Sequence, residues 1–201
     1  MKILLAAAAT IVLLACSDQQ SPAAKAAEGA APKVEAKVAT AAAAYEPYLE
    51  KRYPASGKAV AAAEVAGMIE RDGPQKAVAA LWGEGADNGW EAVMRGIAKG
   101  DPAWLALAPA ISKGADAGAS TGLAMASQDA LTTNAAGALR LMSQLGDGAA
   151  GCTYESYEDP PEQSRAFYAA ATAGVEAVTD PALQTTRDAC LAQLRSGAAQ
   201  S

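Results

Sequence analysis

Residues 89–111 read GWEAVMRGIAKGDPAWLALAPAI, and the spacing of their large apolar groups decides the fold class. Trp90, Val93, Met94 and Ile97 stand at i, i+3, i+4 and i+7, the stripe that one face of an α-helix turns toward a core. Gly100 ends that stripe. Asp101 then offers a side-chain oxygen to cap a new helix, and Pro102 suits its first position, where a missing N–H costs nothing. The pattern starts again at Trp104, Leu107, Ala108 and Ile111. Pro109 predicts a kink or an early end, because it removes a hydrogen bond and crowds the preceding turn.

The same punctuation recurs on both sides. Toward the C-terminus, Asp116 caps a helix with Leu123, Ala130 and Leu131, and Asn134 caps one with Ala138, Leu141, Met142 and Leu145. Residues 146–161 read as a long irregular loop, followed by a helix with Tyr168, Ala171, Val175 and Val178. Asp180-Pro181 opens a last helix with Leu183, Cys190, Leu191 and Leu194 on one side. Toward the N-terminus, Val60, Val65, Met68 and Ile69 fit a helix that stops at Asp72-Gly73-Pro74, with Val78, Leu81 and Trp82 on the next. Tyr45, Tyr48, Leu49 and Tyr53 are the first large apolar groups of a folded body.

Composition points the same way. Of 201 residues 55 are Ala, the best helix former, and β-branched residues do not alternate in runs, so strands are not expected. The expected fold is all-α, a compact bundle or irregular stack of seven or eight short helices. No fixed repeat period argues for a solenoid.

The N-terminus carries an address. Lys2, an apolar run from Ile3 to Leu14 and a small Ala15 have the anatomy of a secretory signal, too short for a membrane span of about 20 residues. The alternatives are an uncleaved anchor helix and a signal with an incidental cysteine. Leu13-Leu14-Ala15-Cys16 resembles a bacterial lipoprotein signal. The resemblance implies removal of residues 1–15 and lipidation of Cys16, which becomes the first residue of an acylated protein. Each buried methylene contributes roughly 0.8 kcal/mol, so one chain holds marginally and two or three hold firmly. Ser17 stands where Asp would favour the inner membrane, so the periplasmic face of the outer membrane is expected, with the inner membrane as the alternative.

Residues 16–44 carry Pro22, Pro32 and Gly29 among alanines, with Val34 and Val38 as the large apolar groups. They are expected to form a flexible tether, transiently helical from 33 to 44; a coil of about 28 residues reaches roughly 30 Å. A helical domain then covers 45–197 and a disordered tail 198–201. Without Lys2 the count is 15 basic against 22 acidic residues, a formal charge of −7. Such a chain repels nucleic acid and anionic headgroups; acidity suits a basic partner but first of all maintains solubility.

Cys152 lies in the long loop and Cys190 on the apolar face of the last helix. In an oxidising compartment an isolated pair most simply forms a disulfide, worth roughly 4 kcal/mol for a loop of this length; two free thiols are the alternative.

The chain has no histidine, which removes Ser-His-Asp and Cys-His pairs and His-based zinc sites. No catalytic residue, metal site or cofactor is assigned. Carboxylates remain for glycan cleavage. Glu84, Asp87 and Glu91 stand beside Trp82 and Trp90, although both indoles are expected in the core. In the second acidic group, Tyr154, Glu155, Tyr157, Glu158 and Asp159 follow Cys152 and precede Pro160-Pro161 and Glu162. Aromatic anchors with carboxylates on a long loop form a candidate partner-binding surface, and its competing reading is a solvated loop with tyrosines tucked onto helices.

Around Gly89-Trp90, Asp101-Pro102-Ala103-Trp104-Leu105, Asp116-Ala117 and the segment from Cys152 to Cys190, the chain resembles small helical envelope lipoproteins of Gram-negative bacteria. The similarity spans about residues 80–195, implies a helical periplasmic domain and transfers no catalytic residue. Immunity proteins that neutralise toxins from rival bacteria resemble it only in type. The expected function is a lipid-anchored, non-enzymatic module that binds an envelope or incoming protein, one with basic character in the sharper version. The competing functions are a carboxylate enzyme acting on glycan or peptidoglycan, and a structural spacer.

Overall fold

The computed structural model describes residues 22–82, 87–146, 148–154 and 159–201, with side chains from Lys33 onward. The signal segment and Cys16 lie outside the described residues. The chain divides into two units, Met1–Lys33 and Val34–Ser201. In the first, the described residues are helical and begin α1 (Pro22–Arg52).

The described residues contain nine α-helices and no strand, so the fold is all-α. After α1 come α2 (Ala62–Asp72), α3 (Pro74–Leu81), α4 (Trp90–Ala98) and α5 (Pro102–Ser112). They are followed by α6 (Ala117–Asp129), α7 (Ala135–Leu145), α8 (Pro161–Glu176) and α9 (Gln184–Ala198). Three 3-10 segments, Ala130–Thr132, Gly148–Cys152 and Pro181–Leu183, join the later helices.

The punctuation is realised in atoms. Asp101 accepts from the backbone N–H of Ala103 at 2.8 Å, Asp116 from Ala119 at 2.9 Å and Asn134 from Gly137 at 3.0 Å. Each satisfies an N–H that a helix start leaves without an intrahelical acceptor. Asp180 caps Ala182 at 3.0 Å but opens the 3-10 turn, which runs on into α9. Gly100 adopts φ +68°, and a Cβ there would lie 2.5 Å from Cβ of Asn134. The missing side chain lets Asn134 Nδ2 donate to the Gly100 carbonyl at 2.9 Å, tying the α4–α5 turn to α7.

Two helix expectations need correction. Instead of ending early, α5 continues through Pro109 to Ser112, because Trp104, Leu105, Ala108 and Ile111 bury its apolar face. The boundary expected at 44/45 falls inside α1, and the second unit begins at Val34. Ala41 packs against the core and Lys37 pairs with Glu176 on α8 at 3.0 Å, so this stretch has tertiary partners that a tether lacks. At the other end, Ala199 and Gln200 donate to Arg195 and Gly197 carbonyls, so the last residues prolong the α9 turn.

Packing follows the stripes: α8 lies along α9, α4 against α6, and α5 against both α2 and α7. Val93, Ile97, Ala108, Ile111, Leu131, Leu139 and Leu194 are fully buried in one core. Alanines at Ala126, Ala130, Ala138 and Ala171 let the helices approach closely.

Candidate functional site: a buried carboxylate beneath the acidic loop

On α1, Tyr45, Leu49 and Arg52 share one face at i, i+4 and i+7, and Tyr53 follows with its N–H on the Leu49 carbonyl at 2.8 Å. That face meets Asp129, the last residue of α6, whose side chain is wholly inaccessible to solvent. Tyr45 donates its hydroxyl to Asp129 Oδ1 and Tyr53 to Oδ2, each at 2.7 Å. Arg52 Nη1 donates to Oδ2 at 3.1 Å. Every partner of Asp129 is a donor, the pattern an ionised carboxylate requires.

The network continues outward through the other guanidinium nitrogen. Arg52 Nη2 donates to the Tyr154 hydroxyl at 2.6 Å and to the Asp159 carboxylate. Tyr154 donates to Asp159 at 2.5 Å and accepts from buried Gln163 Nε2 at 2.9 Å. Its ring lies 4.7 Å from Phe167, centroid to centroid, and 5.2 Å from the Arg52 guanidinium carbon. Among the described residues no buried side-chain nitrogen or oxygen lacks a partner.

Electrostatics follows from burial. Loss of water pushes the Asp129 carboxyl upward, against the pull of Arg52 and the two tyrosine hydroxyls. Burial and the neighbouring carboxylate push Tyr45 and Tyr53 upward. Burial works against the Arg52 charge, but Asp129 and the tyrosines more than offset it, so its pKa rises. Tyr154 is pushed up to about 12 by burial and its hydrogen bond to Asp159. A raised carboxyl pKa suits acid/base work, but these Asp129 oxygens face only their internal donors. The arrangement positions chain segments.

Of the candidate loop residues, Tyr154 and Asp159 are brought together and turned inward onto Arg52 and Phe167. Glu155, Tyr157 and Glu158 lie outside the described residues. Cys152 and Cys190, both fully buried, are joined by a disulfide that ties the segment before Tyr154 to α9. Arg52, Asp129 and Gln163 carry no signal in the helix-stripe reading, and Tyr45 and Tyr53 enter it only as apolar groups. A local sign exists: Asp129 stands at the C-terminal end of a helix, where the macrodipole disfavours an anion, and Arg52 interrupts an apolar face.

The tryptophan group is built differently from the expectation. Trp90 is buried, but Trp82 is 53 % exposed, with the rings 5.4 Å apart. Trp82 is the residue after α3, where the helix no longer carries its ring to the core. Glu91 accepts from Ser56 Oγ at 2.8 Å, Asp87 is exposed, and Glu84 lies outside the described residues. Among the described residues no group of three His, Cys, Asp or Glu side chains is placed to hold a metal, and no helix is long and apolar enough to cross a membrane.

Comparison of the chain with family models, with curated proteins and with solved structures returned no match.

Proposed function

We propose that this chain is a lipid-anchored periplasmic protein of the outer membrane that binds another protein and performs no catalysis. One observation carries the binding reading: Arg52 holds Tyr154 and Asp159, the flanks of segment 155–158, onto the body through buried Asp129. The four residues between these flanks are Glu-Ser-Tyr-Glu, two carboxylates and an aromatic group. Fixed flanks lower the ordering entropy that a loop loses on binding, and the carboxylates select a basic partner and speed encounter. An inhibitor or immunity protein facing a cationic effector is the sharpest form of this reading. The anchor rests on Leu13-Leu14-Ala15-Cys16.

Two experiments test it. Labelled palmitate should enter the wild-type protein and not Cys16→Ser; equal labelling removes the anchor. Glu155→Lys/Glu158→Lys should lose capture of the envelope partner retained by wild type, with Asp159 left intact because it belongs to the buried network. Undiminished capture removes the acidic-loop reading.

The exposure of Trp82 beside Trp90 favours a second reading, a glycan-acting carboxylate enzyme, since exposed indoles stack on sugar rings. Turnover of purified glycan that disappears with Glu84→Gln or Glu91→Gln would establish it.

A further inference from the structure

Where α8 meets the end of α9 a groove of about 340 Å³ opens, within the range of small-ligand clefts of roughly 300–1,000 Å³. Three chain segments wall it. On α8, Ser164 and Tyr168 stand at i and i+4; on α9, Gln193, Ser196 and Gly197 stand at i, i+3 and i+4. The third wall is Thr153-Tyr154, which the Cys152–Cys190 disulfide ties to α9 about one turn before Gln193.

The lining is polar yet uncharged. It holds hydroxyls, side-chain amides, a glycine and two phenol rings, with no charged and no purely aliphatic side chain. The lack of aliphatic lining disfavours a protein side chain, whose anchors seek apolar pockets, and the lack of charge disfavours an ion.

Three of its hydrogen-bonding groups are unspent. The Thr153 hydroxyl, the Tyr168 hydroxyl and the Gln193 side-chain amide make no hydrogen bond among the described residues. The Tyr154 hydroxyl, by contrast, is already engaged by Arg52, Asp159 and Gln163. Tyr168 is only 6 % exposed, but no buried side-chain oxygen lacks a partner, so its hydroxyl is the part that solvent reaches. A Cβ on Gly197 would stand 2.3 Å from that oxygen, which places the phenol tip in this groove. Hydroxyls and an amide that both donate and accept, beside aromatic rings, match a sugar's alternation of hydroxyls and C–H faces.

We propose that this groove binds a neutral saccharide, its hydroxyls exchanging hydrogen bonds with Thr153, Tyr168 and Gln193. The site uses neither segment 155–158 nor the exposed Trp82, so it stands apart from both functional readings.

Isothermal titration of two neutral trisaccharides, maltotriose and chitotriose, into the full chain carrying Cys16→Ser tests the site. Saturable one-to-one binding of at least one of them is expected, with Kd of about 1 mM or below. The anionic trigalacturonate should bind at least tenfold more weakly. Thr153→Val/Gln193→Ala should raise Kd at least tenfold, and Tyr168→Phe about three- to fivefold, with little change in thermal midpoint. Ser196→Trp, at an exposed position, should fill the groove and abolish binding, while Trp82→Ala should leave Kd unchanged. No saturable binding of either sugar, equal affinity in the double variant, undiminished binding by Ser196→Trp, or trigalacturonate binding as tightly as the neutral sugar would each overturn the proposal. Affinity lost in Trp82→Ala but kept in the groove variants would assign the sugar to the tryptophan pair and overturn it too.

Discussion

Arg52 Nη1 lies 3.1 Å from Asp129 Oδ2, across 77 residues of chain, while Nη2 of the same guanidinium reaches Tyr154 and Asp159. One side chain therefore joins the end of α1, the end of α6 and both flanks of the acidic segment. Its fixed planar fork makes that geometry available, and a lysine would not reproduce it.

Breaking this pair from one side leaves an uncompensated buried charge. Asp129→Ala should destabilise the protein by about 3–5 kcal/mol. Replacing both partners, Arg52→Met with Asp129→Leu, should recover more than half of that loss, because two desolvated charges disappear together. Urea unfolding of the single and double variants checks it; additive losses would show that the two residues do not act as a pair.

The pH dependence has a defined sign. Burial holds the Asp129 carboxyl above its unfolded value of about 3.9, so the folded state takes up this proton first as pH falls. Its contribution to stability grows through the folded pKa and is complete below the unfolded one. Glu176, held low by Lys37 and Arg195, and Asp180, held low by Arg140, act in the opposite direction. The stability difference between wild type and Asp129→Asn should therefore widen in favour of wild type from pH 7 to pH 4, measured by urea midpoints.

On the alkaline side Tyr45, Tyr53 and Tyr154 resist ionisation, Tyr154 up to about 12. Their stabilising contribution is intact below the unfolded tyrosine value of about 10 and is lost as pH rises beyond it. Absorbance at 295 nm should show these three ionising together with unfolding. Ionisation of all six tyrosines near pH 10, with native circular dichroism retained, would contradict the network.

Cys152–Cys190 closes a loop that contains segment 155–158 and α8. Cys152→Ser/Cys190→Ser should cost roughly 4 kcal/mol in the chain-entropy account, before relaxation of the native state. A thermal midpoint unchanged by reductant would show that the bridge contributes nothing.

What was legible in the sequence was local. Asp101, Asp116 and Asn134 cap the helices that their spacing announces, because capping depends on neighbours within three residues. Val34 stays exposed, and Ala41, which packs on the core, is one alanine among many, so neither marks where the second unit begins. Tyr45 and Tyr53 were legible as core rings but not as hydrogen-bond donors, for their acceptor lies on another helix. The link from Arg52 to Asp129 exists only once α1 packs beside α6, and no periodicity reports it.

The protein-binding account is tested most directly in the intact envelope, by a photo-crosslinking residue placed at Ser156, between the two anchored flanks. The account predicts one discrete protein adduct from the otherwise wild-type chain. That adduct should disappear with Glu155→Lys/Glu158→Lys, while the thermal midpoint stays unchanged. No adduct, or an adduct formed equally by the charge-reversed protein, would contradict it.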